Sequence, residues 1–295
     1  MNEQAAARTL GSWAAMTGRW LFLLLMPISV AAQEGGNADP TRIEILGADK
    51  WTSDHAIANG AQRLVGHARF KHAGAVMSCD SAYILDDQRV QAFDHVTIRQ
   101  GDTLSISGDR LDYSGADRLA TITGKVHLAD RDMDLSTELL VYDLRSRTAT
   151  YSGGGTITSR KENNTLTSDR GSYLAGAHTF IFSEDVVLLG PERSIVCDTL
   201  HYTTTTGVAQ FFGPTAITSG STRMWCNSGT YDTLRDVADF HQRARVLSEG
   251  QELQGDSMHY ERATGLGEAW GNVLVLDTAN GMTVARGRGR HEEEA

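Results

Sequence analysis

The stretch "ISGDRLDY", Ile106 to Tyr113, decides how the chain is read, because it returns five more times. "LSTELLVY" (Leu135 to Tyr142), "LTSDRGSY" (Leu166 to Tyr173), "IVCDTLHY" (Ile195 to Tyr202), "MWCNSGTY" (Met224 to Tyr231) and "LQGDSMHY" (Leu253 to Tyr260) match it position for position. The closing tyrosines lie 29, 31, 29, 29 and 29 residues apart, and Tyr83 in "CDSAYI" extends the series by 30, with its Asp one residue nearer. Eleven residues after each Tyr stands a second motif, at Asp94, Gly124, Gly153, Glu184, Gly213, Gln242 and Gly271, with an earlier copy at Gly66. A period held over about 200 residues is the signature of stacked supersecondary units.

Within each unit the apolar residues alternate with period two, as on a strand with one buried face. Counting from the acidic residue, apolar or small side chains stand three and one before it (Ile106 and Gly108, Ile195 and Cys197) and two and four after it (Leu111 and Tyr113, Leu200 and Tyr202). The step from minus one to plus two breaks the phase. One extra residue swaps the faces of a strand, so a bend or bulge is expected at the acidic position. The second half of the unit alternates too, with Ile122, Tyr151, Phe182, Phe211 and Phe240 in one column. Counted as one rung per unit at about 4.8 Å, eight units would stack to roughly 40 Å.

Around this array the chain carries little else. Its 295 residues have a net charge of −10, which argues against a nucleic-acid partner held through phosphates. Arg8 and Arg19 precede an apolar run of 13 residues, Trp20 to Ala32, closed by small residues. That is short for a bilayer span of about 20 residues, so residues 1–32 read as a secretory signal peptide, the alternative being an uncleaved anchor. Residues 33–40 form a polar linker, residues 41–285 the repeat array, and residues 286–295 a charged tail. Export of this kind suggests a bacterial envelope protein.

The cycle resembles the OstA/LptA family of lipopolysaccharide-transport proteins, best seen in "ISGDRLDY" with "ITGKVHL" and "LQGDSMHY" with "AWGNVLV". The resemblance runs from about Ile45 to Val284. It implies an all-β, elongated, semi-open β-jellyroll of about eight rungs, whose apolar trough holds the acyl chains of lipid A. It further implies a periplasmic, non-enzymatic carrier that works without a cofactor. The expected partners are LptC-like and LptD-like jellyrolls joined by edge strands, with the outer membrane as one destination and self-association open to the same edges. A structural or adhesive envelope β-stack with a closed core and no lipid is the competing expectation.

The inward columns are the candidate lipid-binding residues: Ile106, Leu135, Leu166, Phe182, Ile195, Phe211, Met224, Phe240 and Leu253. The same columns would also build an ordinary closed core. The tyrosine column either sits at the trough mouth or packs a corner. The acidic column, Asp109, Glu138, Asp169, Asp198, Asn227 and Asp256, would carry repulsion of about 0.9 kcal/mol per neighbour at 4.8 Å in water, so it must face solvent or backbone donors. Cys197 and Cys226 stand in register in adjacent units, and export permits a disulfide between them. They read equally as two small buried residues, and Cys79 has no mate. The ten histidines show no metal-ligand spacing, His201 and His259 falling on the outer line. No nucleophile elbow, zinc-protease helix or phosphate loop is present in the sequence.

Overall fold

The computed structural model describes residues 43–292 apart from 55–60, 73, 86–88, 102–103, 130–132, 161–162, 175, 192, 262–263, 265 and 278–281. The leader and linker expected at residues 1–40 lie outside the described residues.

The chain divides into two compact units. The N-terminal unit holds β1 (Glu44–Gly47), β2 (Lys50–Asp54), β3 (Ala61–His72), β4 (Ala75–Ile84), β5 (Arg89–Gln100), β6 (Leu104–Ser114), β7 (Leu119–Ala129), β8 (Met133–Asp143), β9 (Thr148–Ser159), β10 (Thr165–Leu174) and β11 (Thr179–Leu189). β1 and β2 lie along successive stretches of β3, with Ile45 opposite Phe70 and Trp51 opposite Leu64. From β3 to β11 each strand pairs antiparallel with the next. The C-terminal unit repeats this meander through β12 (Arg193–Thr203), β13 (Val208–Ser219), β14 (Thr222–Asp232), β15 (Val237–Ser248), β16 (Gln251–Glu261), β17 (Leu266–Asp277) and β18 (Met282–Glu292). The described residues contain no helix, and the fold is all-β, as the repeats require, in the jellyroll form that the family resemblance implies.

One correction concerns the rung. Each sequence unit makes two antiparallel strands, not one: the acidic motif lies on an even-numbered strand and the second motif on the odd-numbered strand after it. Successive copies of a motif are therefore two strand spacings apart, about 10 Å. The repulsion along the acidic column falls accordingly, to about 0.4 kcal/mol per neighbour in water. Asp109, Glu138, Asp169, Asp198 and Asp256 are all exposed.

The expected phase break is present at mid-strand throughout. Pairing slips between Ser107 and Arg110 on β6, between Thr137 and Leu140 on β8, and between Ser168 and Arg170 on β10. Opposite each slip the odd strand places two successive residues at positive φ: Asp94 and His95 (61° and 48°), Gly124 and Lys125 (78° and 46°), Glu184 and Asp185 (65° and 53°), Gln242 and Arg243 (58° and 68°). Two left-handed residues in a row turn the strand sharply. Each strand thus becomes two arms that meet at a corner, with buried residues on the inside of both. β6 buries Ile106 and Gly108 on one arm, and Leu111 and Tyr113 on the other.

The acidic residue braces this corner. Asp80 bonds His95 at 2.8 Å, Asp49 bonds His67 at 2.8 Å, and Asp256 accepts from Asn272 at 2.9 Å. At Gly124 an added Cβ would stand 2.5 Å from Asp109 Oδ2 and 2.8 Å from its Cβ. Glycine is needed there for its left-handed φ and for the closeness of the carboxylate. Directly inside the corner the space is narrow. A Cβ on Gly108 would approach Ile122 Cγ2 to 2.6 Å, which explains why the residue before the acid is small in every copy.

Two further expectations are corrected. The charged segment after Ala285 is not a tail: through Glu292 it forms most of β18, antiparallel to β17, with Arg288 opposite Trp270 and Arg290 opposite Glu268. Tyr83 does not belong to the inner tyrosine column. Ile84, opposite Val90, occupies the place that Tyr113, opposite Ala120, holds in the next copy. Tyr83 lies on the other face, edge-on to Phe93 at 6.2 Å with the Arg63 guanidinium over its ring. The shortened spacing from Asp80 moves it by one residue and so across the strand.

The corner can be tested by substitution. Gly124→Ala should cost more than Gly153→Ala, although the two φ values are nearly equal at 78° and 82°, because nothing lies within 4 Å of a Cβ at Gly153. The left-handed strain common to both is about 1–2 kcal/mol. Denaturant unfolding should show an excess for Gly124→Ala that disappears in an Asp109→Gly background, which removes the whole side chain; equal costs would refute the brace.

Candidate functional site

The interior between the two arms is where the inward columns meet. Ile106, Leu135, Leu166, Phe182, Ile195, Phe211, Phe240 and Leu253 are all buried, and Met224 is half-buried. They face inward as their alternation predicts. Ile106, Leu135, Leu166 and Phe182 belong to the N-terminal unit, the other five to the C-terminal unit.

One stretch of the N-terminal unit is not filled by its own side chains. A cavity of about 260 Å³ opens between the arms of β3 to β8. Its walls are Met77, Ile98, Leu104, Ile106, Ala120 and Ile122, and its polar rim is His72, Gln100, Tyr113, Arg118, Tyr142 and Arg147. Of the nine candidates only Ile106 borders this space. At one side the two arm ends touch: the Tyr113 hydroxyl and His72 Nδ1 lie 2.6 Å apart, joining the far end of β6 to the end of β3. Burial raises the pKa of both Tyr113 and Tyr142, while Arg118 and Arg147 respectively pull it down. The tyrosines therefore mark the hairpin ends and not the corner.

Two strands further on, the same interior is closed. Tyr151, 4% exposed, is seated against Gly155 and Gly171, where added Cβ atoms would stand 2.4 Å and 2.2 Å from its ring. Its hydroxyl reaches Ser168 on the opposing arm at 2.6 Å. Beyond it Tyr173 stacks on Phe180 at 4.3 Å, and Phe180 on Phe182 at 5.9 Å. In the C-terminal unit Tyr231 bonds Asp236 and lies under the Arg193 guanidinium at 5.4 Å.

The hairpin turns position the arginines. Arg118 and Arg147 each end a turn in left-handed conformation, at φ 57° and 54°. The Arg118 carbonyl accepts the Leu144 N–H of the next turn at 2.9 Å, so the turns stack as the strands do. Sequence reasoning missed both residues. The signal was available: they fall five residues after Tyr113 and Tyr142, in the same place as His178, Gly207 and Asp236 after the later tyrosines.

The disulfide expectation is corrected. Cys79, Cys197 and Cys226 are free and buried. β13 lies between β12 and β14, with Cys226 opposite Thr215, so two strand spacings separate the cysteines where a disulfide needs Cα atoms within about 7 Å. Burial pushes the thiols up to about 11, 12 and 11, so all three are protonated at neutral pH. They serve as the small residue inside the corner. The two singled-out histidines lie on outer strand positions, His201 beside Phe212 with ring centroids 4.8 Å apart, and His259 bonded to Asp239 at 2.7 Å, which raises its pKa. Among the described residues no group of three or more His, Cys, Asp or Glu is placed to hold a metal ion.

A family model described as OstA-like protein matches residues 40–198. The strand pairing and the corner continue past that match to β18. Among solved structures, LptH from Pseudomonas aeruginosa, described as the LptA-homologous periplasmic component of the conserved lipopolysaccharide transport device, aligns at 11% identity and a TM-score of 0.32. The alignment covers 34% of this chain and 76% of that one. No curated protein matches the chain.

The closed stretch yields a test by double-mutant cycle. Gly171→Ala should destabilise the protein by about 1–3 kcal/mol through overpacking against Tyr151. The same substitution in a Tyr151→Leu background should cost less, and the difference is the coupling between the two sites. Additive costs would show that the ring does not occupy the space between the glycines.

Proposed function

The chain belongs to the OstA-like protein family, and from that membership we propose that it is a periplasmic carrier of lipopolysaccharide, shielding lipid A acyl chains between the arms of its strands on the way to the outer membrane. One observation carries the proposal: the interior of the N-terminal unit has an apolar cavity of about 260 Å³ that the chain's own side chains leave open. Small-molecule pockets usually begin near 300 Å³, so this space takes part of an acyl chain while the rest of the ligand stays outside. Each CH₂ withdrawn from water contributes about 0.8 kcal/mol. Burial of this kind needs no catalytic group, which supports the proposal of a non-enzymatic role.

The inward columns Ile106, Leu135, Leu166, Phe182, Ile195, Phe211, Met224, Phe240 and Leu253 would line the path if the arms part further along. Their close packing is the feature that favours the competing reading, a structural β-stack. The partners in this proposal are LptC-like and LptD-like jellyrolls. Among the described residues β1 and β2 pair with β3 and β18 pairs with β17, and we propose that the free sides of these strands accept the partners' strands.

Photo-crosslinking in living cells tests the carrier reading. A photoreactive residue at Ile98 or Ile106, both on the cavity wall, should form lipopolysaccharide adducts, and one at the exposed Lys125 should not. Absent adducts at the two wall positions, with the protein folded and exported, would leave the structural β-stack.

A further inference from the structure

We propose that Arg118 and Arg147 form a cationic rim that holds the phosphate of an acylated, phosphorylated glycolipid whose chain enters the cavity beneath them. The inference rests on the carrier reading and adds to it the headgroup chemistry and the end of the cavity at which the headgroup sits. Both arginines border the cavity, and both are exposed. Neither makes an ion pair among the described residues, whereas Arg110, Arg160, Arg170, Arg235 and Arg245 each pair with a carboxylate.

The carboxylates nearest in sequence are engaged elsewhere. Asp117 is bonded to Ser114 at 2.7 Å, and Asp143 caps its own turn by accepting from the Arg145 and Ser146 N–H groups. What sets these two arginines apart is their place: both border one apolar cavity. Their backbones are held by stacked turns two strands apart, a spacing of about 10 Å, across which two long side chains can converge on one phosphate. Arginine suits that role because its planar fork matches phosphate oxygens. The corresponding turn positions further along are His178, Gly207 and Asp236, so the paired arginines occur only over the open cavity.

Binding of diphosphoryl lipid A and of the same lipid dephosphorylated, measured on the purified protein and on the Arg118→Gln/Arg147→Gln variant, tests the rim. The variant should bind the phosphorylated lipid about tenfold more weakly, equivalent to ~1.4 kcal/mol, and the dephosphorylated lipid as tightly as the parent does. The second measurement also shows that the variant is folded. Equal affinity of parent and variant for the phosphorylated lipid would overturn the rim and leave the carrier reading standing. If the parent protein binds neither lipid, the carrier reading fails and the rim with it.

Discussion

The contact between an acidic side chain and a left-handed pair of residues on the neighbouring strand carries the architecture. A pleated strand of eleven or twelve residues would otherwise run straight and leave one face of a flat sheet in water. Two consecutive residues at positive φ fold it, and left-handed backbone costs about 1–2 kcal/mol for each residue other than glycine. The Asp or Glu opposite offsets part of that cost through bonds such as Asp80 to His95 and Asp256 to Asn272. Where glycine takes the first position, as at Gly124 and Gly271, the carboxylate residue lies directly against it.

The corner then dictates what fits inside. At the vertex the residue before the acid is Gly, Ser, Thr or Cys from β4 onward, with valine opposite it at Val96 and Val126, and aromatic residues stand further along an arm and reach across. Tyr151 illustrates this, with its ring between two glycines and its hydroxyl on Ser168. Filling is therefore local and uneven. One pair of strands is sealed by an aromatic ring, while others, with Ile and Ala at corresponding places, leave a cavity. The same architecture can be a solid core or a lipid path, depending on the residues that face the vertex.

The β class, the period, the inward columns and the bulge at the acidic residue were legible in "ISGDRLDY" and its copies, since a strand's alternation records which face is buried. The number of strands per period was not, because a 29-residue unit with one evident turn reads as a single rung until the second half is seen to pair back on the first. That miscount placed Cys197 and Cys226 within bonding range, when β13 in fact runs between them. The charged run after Ala285 failed as a tail for a related reason: charge alone does not tell a paired strand from a free end, and this run pairs with β17.

From the sequence alone come the buried face, the position of each corner and the small residue inside it, since these follow from spacing and side-chain size. Only the tertiary structure decided which arms are packed shut and which leave room, and which turn residues overlook that room. Those depend on contacts across the interior between residues far apart in the chain, such as His72 with Tyr113. A periodic pattern on one strand holds no record of the distance to the arm it faces.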